Sequence, residues 1–168
     1  MSTGQMMLVI GALVLMSIFI LGVNSSESGQ IKNTLTNQAV ITATGIAQTL
    51  MDQIQTESFD QQTVNKSVSV PDSLTAPGSL GKDAGETTFT TFNDVDDYNN
   101  YTETDTVGIL GTFNVKAKVS YCTTGTGNMD PEVYSSVRTF SKRVDISVYN
   151  KYLFFIDTLK ISKVISYY

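Results

Sequence analysis

The sequence predicts an α+β chain in which one long N-terminal helix packs through its second half on a C-terminal antiparallel β-sheet. Three observations carry this. An uncharged apolar run opens the chain, a segment with helical periodicity follows it, and the last third alternates apolar and polar residues with a period of two.

The apolar run is "MMLVIGALVLMSIFILGV", Met6 to Val23, within an apolar helical segment expected over residues 1–28. Its only polar break is Ser17, and the first charged side chain in the chain is Glu27. Eighteen helical residues reach about 27 Å, close to the thickness of a bilayer core. A core helix of a soluble domain shows a polar face, and this run is apolar all round. A secretory signal carries a positive n-region, whereas "MSTGQ" contains neither Lys nor Arg, so the segment is expected to be retained. Its surroundings must then be apolar, either lipid or other copies of itself.

An amphipathic helix is expected over 29–62. Ile31, Leu35, Ala39, Ala43, Ile46 or Ala47, Leu50 and Ile54 recur every three or four residues and define one face. Between the two helical stretches lies "NSSESG", Asn24 to Gly29, which is poor helix material. A weak point between Gly22 and Gly29 is therefore expected, with helicity ending near "ESFDQQTV".

Residues 63–111 are rich in Ser, Thr, Asn, Gly and Pro and read as loops, with "ETTFTTFND" as a candidate short strand. A sheet is expected over 112–168. In "TFNVKAKVSYC", Phe113, Val115, Ala117, Val119 and Tyr121 alternate with polar residues. In "KRVDISVYN", Val144, Ile146 and Val148 alternate with Arg143, Asp145 and Ser147, and "TLKISKVISYY" places Leu159, Ile161 and Ile165 on one side. "TTGTGNMDPEV" has the Gly, Asn and Pro of a connection.

Composition narrows the function. The net charge of −5 argues against nucleic acid as a partner. With no histidine and the single cysteine Cys122, neither a histidine-assisted nucleophile nor a clustered Cys/His zinc site can be built. Cys122 reads as a small strand residue beside Tyr121. No catalytic constellation is found, and an enzyme is not expected. Sequons begin at Asn24, Asn65 and Asn100, a frequent coincidence in a Ser/Thr/Asn-rich chain.

One stretch demands its own reading. "DVDDYNNYTETD", Asp94 to Asp105, holds five acidic residues and no basic one. It is expected to form an exposed loop before a strand beginning near Thr112. Three readings are open. It is a solvated turn whose aspartates cap backbone N–H groups while Tyr98 and Tyr101 pack on the sheet. Alternatively, Asp94, Asp96 and Asp97 supply oxygens to calcium, although the spacing is not that of an EF-hand. In the third reading it contacts the basic C-terminal third of a neighbouring subunit.

The apolar helix running into an amphipathic one, followed by a small antiparallel sheet, resembles the type IV pilin-like superfamily. "ATGIAQTLMDQIQTESFD" looks like the second helical half of minor pilins and pseudopilins. "FNDVDDYNNYTETD" with the following V-x-V strand, and "SKRVDISV", resemble minor pilins of the mannose-sensitive haemagglutinin type. The resemblance touches about two-thirds of the chain. Family members carry a basic leader cut after a glycine and a glutamate at the fifth mature position; here no basic leader is present, Gly4 is followed by Gln5, and the C-terminal disulfide loop is absent. Some pseudopilins bind calcium in a loop of their sheet.

The resemblance implies a structural subunit of an extracellular filament that polymerises as a homo-oligomer through its N-terminal helix. Gln5, Met6, Leu8, Val9, Leu13, Val14, Ile18 and Leu21 are the expected assembly residues, with Gln5 available to hydrogen-bond a neighbour's amine. Before assembly the subunit would sit in the cytoplasmic (inner) membrane and be handled by pilus or secretion assembly machinery; afterwards it would be at the cell surface. The alternatives are a minor pseudopilin of a type II secretion-like machine and a single-pass membrane-anchored envelope protein. Charge is distributed unevenly: Asp83 to Glu132 holds nine acids and two bases, and Val133 to Tyr168 holds six bases and two acids. Opposite patches on one subunit favour head-to-tail contacts that do not close.

Overall fold

A computed structural model of the chain describes residues 2–123 and 133–168. The fold is α+β as expected: one long helix, α1 (Thr3–Ile54), and a C-terminal antiparallel sheet on which its second half packs. Two compact units divide the chain, Met1–Gln38 and Ala39–Tyr168.

In the first unit α1 is α-helical without interruption. The expected weak point is not there: residues 24–29 lie inside continuous helix. Ser28 Oγ donates to the Asn24 carbonyl at 3.0 Å, so this serine hydroxyl bonds back into the helix. A glycine lowers local helix stability by only about 1 kcal/mol, which an already nucleated helix of this length absorbs. An added Cβ at Gly22 or Gly29 would meet nothing within 4 Å. Gly29→Ala is therefore expected to slow amide exchange in the surrounding turn about fivefold, as hydrogen–deuterium exchange would show; unchanged protection would contradict it.

The second unit is built on the C-terminal part of α1. Ala39, Ala43 and Ala47, four residues apart, form a buried row continued by Leu50, Met51 and Ile54. Their small side chains allow a helix backbone to approach a sheet closely. Ile31, predicted on this face, is exposed; it lies in the first unit, where large apolar side chains face outward. The helix also ends at Ile54 rather than continuing to residue 62. Asp60 then caps a 3-10 turn over Gln61–Thr63, and a chain held at that cap cannot continue α1.

The strands are β1 (Thr102–Val107), β2 (Gly111–Thr123), β3 (Val133–Tyr134), β4 (Ser141–Tyr149) and β5 (Thr158–Ser166). The order is β1-β2-β4-β5, all antiparallel, with β3 paired to the end of β2. The predicted alternation is realised: Phe113, Val115, Ala117, Val119 and Tyr121 of β2 and Val144, Ile146 and Val148 of β4 are all buried. Cys122 is buried in β2, as read, and burial raises its thiol pKa. Most of the connection predicted in "TTGTGNMDPEV" lies outside the described residues.

Two expectations for 63–111 need correction. "ETTFTTFND" is not a strand; Thr88 begins a 3-10 turn over Phe89–Thr91 whose capping hydrogen bonds compete with extended pairing. The loop region does contain a strand, β1, at the edge of the sheet and exposed along nearly all its length.

Candidate functional site

Two features stand out, the exposed face of the first unit and a buried polar cluster in the second. On the first, every large apolar side chain from Met6 to Leu21 is at least 53% exposed. This includes six of the expected assembly residues beyond Met6 itself: Leu8, Val9, Leu13, Val14, Ile18 and Leu21. The helix is long and apolar enough to cross a membrane, and none of its most apolar window is buried. Gln5 Oε1 accepts the Ser2 N–H at 3.1 Å. Ser2 and Gln5 thus share one half of a capping box, the side chain of the third helical residue satisfying the backbone of the cap.

The second feature corrects the reading of "DVDDYNNYTETD". Asp94, Asp96, Asp97 and Tyr98 are buried, and Thr102 to Asp105 belong to β1. The stretch is not an exposed loop, because a cation lies beside it in the fold. Lys142 of β4 is fully buried. Its Nζ donates to the Phe59 carbonyl at 2.7 Å, to Asp60 Oδ2 at 2.8 Å, and to Asp96 Oδ1. All three ammonium protons are therefore placed, and the ring centroids of Phe59 and Tyr121 lie 4.4 and 5.1 Å away. Within the chain, Lys142 of the basic C-terminal third meets Asp96 of the acidic stretch.

Each partner has its own local reason to be there. Asp60 follows the end of α1 as the cap of its 3-10 turn, accepting Gln62 N–H and Thr75 N–H and Oγ–H. The Tyr121 hydroxyl lies 3.1 Å from Asp60 Oδ2 and 2.8 Å from the Thr75 carbonyl. Asp94 caps the turn Val95–Tyr98: its Oδ1 accepts the N–H groups of Asp96 at 2.6 Å and Asp97 at 3.3 Å. Asp97 Oδ2 returns to the N–H of Asn93 and Asp94. The capping part of the solvated-turn reading holds, and its solvent does not. Tyr98 and Tyr101 are buried, in ring contact with each other and with Phe89 and Phe92 rather than with a ring of the sheet.

Lys142 and Asp60 went unmarked in the sequence. Lys142 shares the parity of Val144, Ile146 and Val148 and so points inward, a signal visible in "SKRVDISV". Asp60 stands three residues before Thr63, a capping spacing in "FDQQT".

The electrostatics follow from burial. Burial pushes Asp60 up, but the Lys142 charge and the hydrogen bonds to its carboxylate outweigh this and bring it to about 2. Burial raises Asp94 to about 8, helped by the Asp96 and Asp97 carboxylates. Burial also raises Asp96, to about 7, against the pull of Lys142. Asp94 Oδ2, Asp96 Oδ2 and Asp97 Oδ1 are buried without a hydrogen-bond partner. Among the described residues, no three Asp, Glu or Cys side chains are arranged to hold a metal ion; Asp94 and Asp97 cap backbone N–H groups, and Asp96 pairs with Lys142.

These shifts predict a stability profile. Between about pH 4 and pH 8 the folded state holds protons on Asp94 and Asp96 that the unfolded chain has released, so stability falls as pH rises. Below about pH 4 the depressed Asp60 reverses the sign, and stability falls as pH falls toward 2. Maximum stability is expected near pH 4–5, with the melting temperature on the order of 10 °C lower at pH 9. Calorimetric melts across pH would check it; a maximum at or above pH 7 would contradict the burial of these carboxylates.

No protein-family model matches the chain, and neither does any curated protein or solved structure.

Proposed function

We propose that this chain is the structural subunit of an extracellular type IV pilus-like filament, polymerising through its N-terminal helix. The observation that supports the reading is the uncharged, apolar run of α1, exposed on all sides. Burying such a run is strongly favourable, at roughly 25 cal/mol per Å² of apolar surface. Parallel copies of the helix bury one another's runs, and the sheet-bearing units coat the resulting rod. Before assembly the same run lies in the cytoplasmic membrane, where assembly machinery collects it.

Gln5, near the start of α1, supplies a hydrogen bond and no ion pair. In the subunit this side chain caps its own helix. On this reading assembly depends on apolar packing rather than on a charge pair at the helix start.

A single-pass membrane protein with a folded outer domain is the second reading, favoured by the length and hydropathy of the same helix. The test is electron microscopy of the purified full chain after detergent removal, with sedimentation of a chain lacking residues 1–28. Filaments from the full chain and a soluble monomer from the truncated one are expected. Vesicle-bound monomers without filaments would select the second reading.

A further inference from the structure

We propose that the solvent face of the sheet docks on the β1 edge of a second copy of this chain, cation against carboxylate. This rests on the filament reading and names the surfaces that join its outer units.

The cationic surface follows from strand parity. Lys116 and Lys118 of β2 and Lys160 of β5 occupy outward, exposed positions, and Arg143 of β4 lies on the same face but is buried. Lys116 and Lys160 flank Ser147 in one cross-strand row, and Lys118 pairs with Asp145 in the next. These residues line a concavity of about 420 Å³, in which Asp145 is the one carboxylate among the described residues. Asp145 is already engaged, by Arg143 Nε at 2.7 Å and by the Tyr134 hydroxyl at 3.1 Å. Lys116, Lys118 and Lys160 have no carboxylate within ion-pair distance among the described residues, so three positive charges face solvent on a chain of net charge −5.

The acidic surface lies on the opposite face. Glu103 pairs with Val115 and Asp105 with Phe113, whose side chains face the core. With Phe89, Thr42, Thr49 and Gln53 of the helix side, Glu103 and Asp105 line an open groove of about 460 Å³. Neither carboxylate has a Lys or Arg within ion-pair distance among the described residues. Beside them runs the outer edge of β1, which pairs with β2 alone among the described strands.

The two patches lie on opposite faces of one sheet, and among the described residues no ion pair neutralises one with the other within a molecule. They can neutralise each other between molecules, and a contact joining two different patches repeats without closing. Net-negative copies repel at long range, so a complementary patch also selects the orientation of encounter.

The test is self-association of the full chain on detergent dilution, followed by sedimentation and electron microscopy. The variants are K116E/K118E/K160E, E103K/D105K and the two combined. Each reversal alone is expected to weaken association about tenfold, and the combined chain to recover it. Wild-type association is expected to fall as salt rises from 0.05 to about 0.5 M, as screening shortens. Unchanged melting temperatures show that the variants fold. If the reversals leave association intact while Leu13→Asp abolishes it, this inference fails and the filament reading stands. Single reversals that weaken association without recovery in the combined chain overturn the pairing of these two faces. Absence of any association in the wild type overturns both.

Discussion

Lys142→Met is expected to destabilise the sheet-bearing unit by about 3–5 kcal/mol. Methionine keeps most of the side-chain volume, so the change isolates the charge. What remains is a pair of buried carboxylates, Asp60 and Asp96, facing a thioether that donates nothing. The Phe59 carbonyl also loses its donor. Domains are stable by only about 5–15 kcal/mol, so the variant stands near the limit of folding at 37 °C. The deficit should shrink toward pH 4. Without the ammonium Asp60 loses the influence that held it near 2, and both carboxylates can then be neutralised by protons. Urea titrations at pH 7 and pH 4.5 would measure this. A loss below about 1 kcal/mol at pH 7 would show that Lys142 is not the counter-charge described. Adding Asp60→Asn and Asp96→Asn to Lys142→Met should restore part of the loss at neutral pH, since it removes the stranded charges.

Leu13→Asp is expected to abolish filaments while leaving the subunit folded. Leu13 lies mid-way along the apolar run and is 59% exposed in the subunit, so the substitution breaks no contact there. In a polymer or a bilayer the same position is dry. An isolated carboxylate in such surroundings costs several kcal/mol or takes up a proton, and every subunit would carry one. Leu13→Ala provides the comparison: it removes volume without charge and should permit assembly. Circular dichroism in detergent should show equal helix content in both variants. Normal filaments from Leu13→Asp would end the polymer reading, because no other feature of the chain supports it as strongly.

The parts of the fold that were readable from sequence are those where burial is one-sided. The outward–inward alternation holds in β2 from Phe113 to Tyr121 and in β4 from Val144 to Val148, and the buried row of α1 from Ala39 to Ile54 follows the helical period. The misreadings have physical causes. β1, "TETDTV", is exposed on both faces for most of its length, so no core imposes a period of two on it. The acidic stretch was read by composition, and composition does not reveal that Lys142 arrives from 46 residues further along the chain. The expected weak point in α1 weighed local propensities that are small beside helix cooperativity. For the N-terminal apolar run the sequence showed which residues are apolar and uncharged, and the structure adds that they are uncovered.

The burial of Lys142 has a consequence for how strand β4 finds its place. Apolar burial distinguishes inward from outward positions, so it rejects a slip of one residue. It is nearly blind to a slip of two, because Val144, Ile146 and Val148 are close in size and would simply exchange sites. Lys142 removes that degeneracy. Displaced by two positions, its ammonium would enter an apolar site while Asp60 and Asp96 were left without a cation, an error far larger than trading valine for isoleucine. The polar cluster thus makes a repetitive strand unique, at a stability that an all-apolar replacement would equal or exceed.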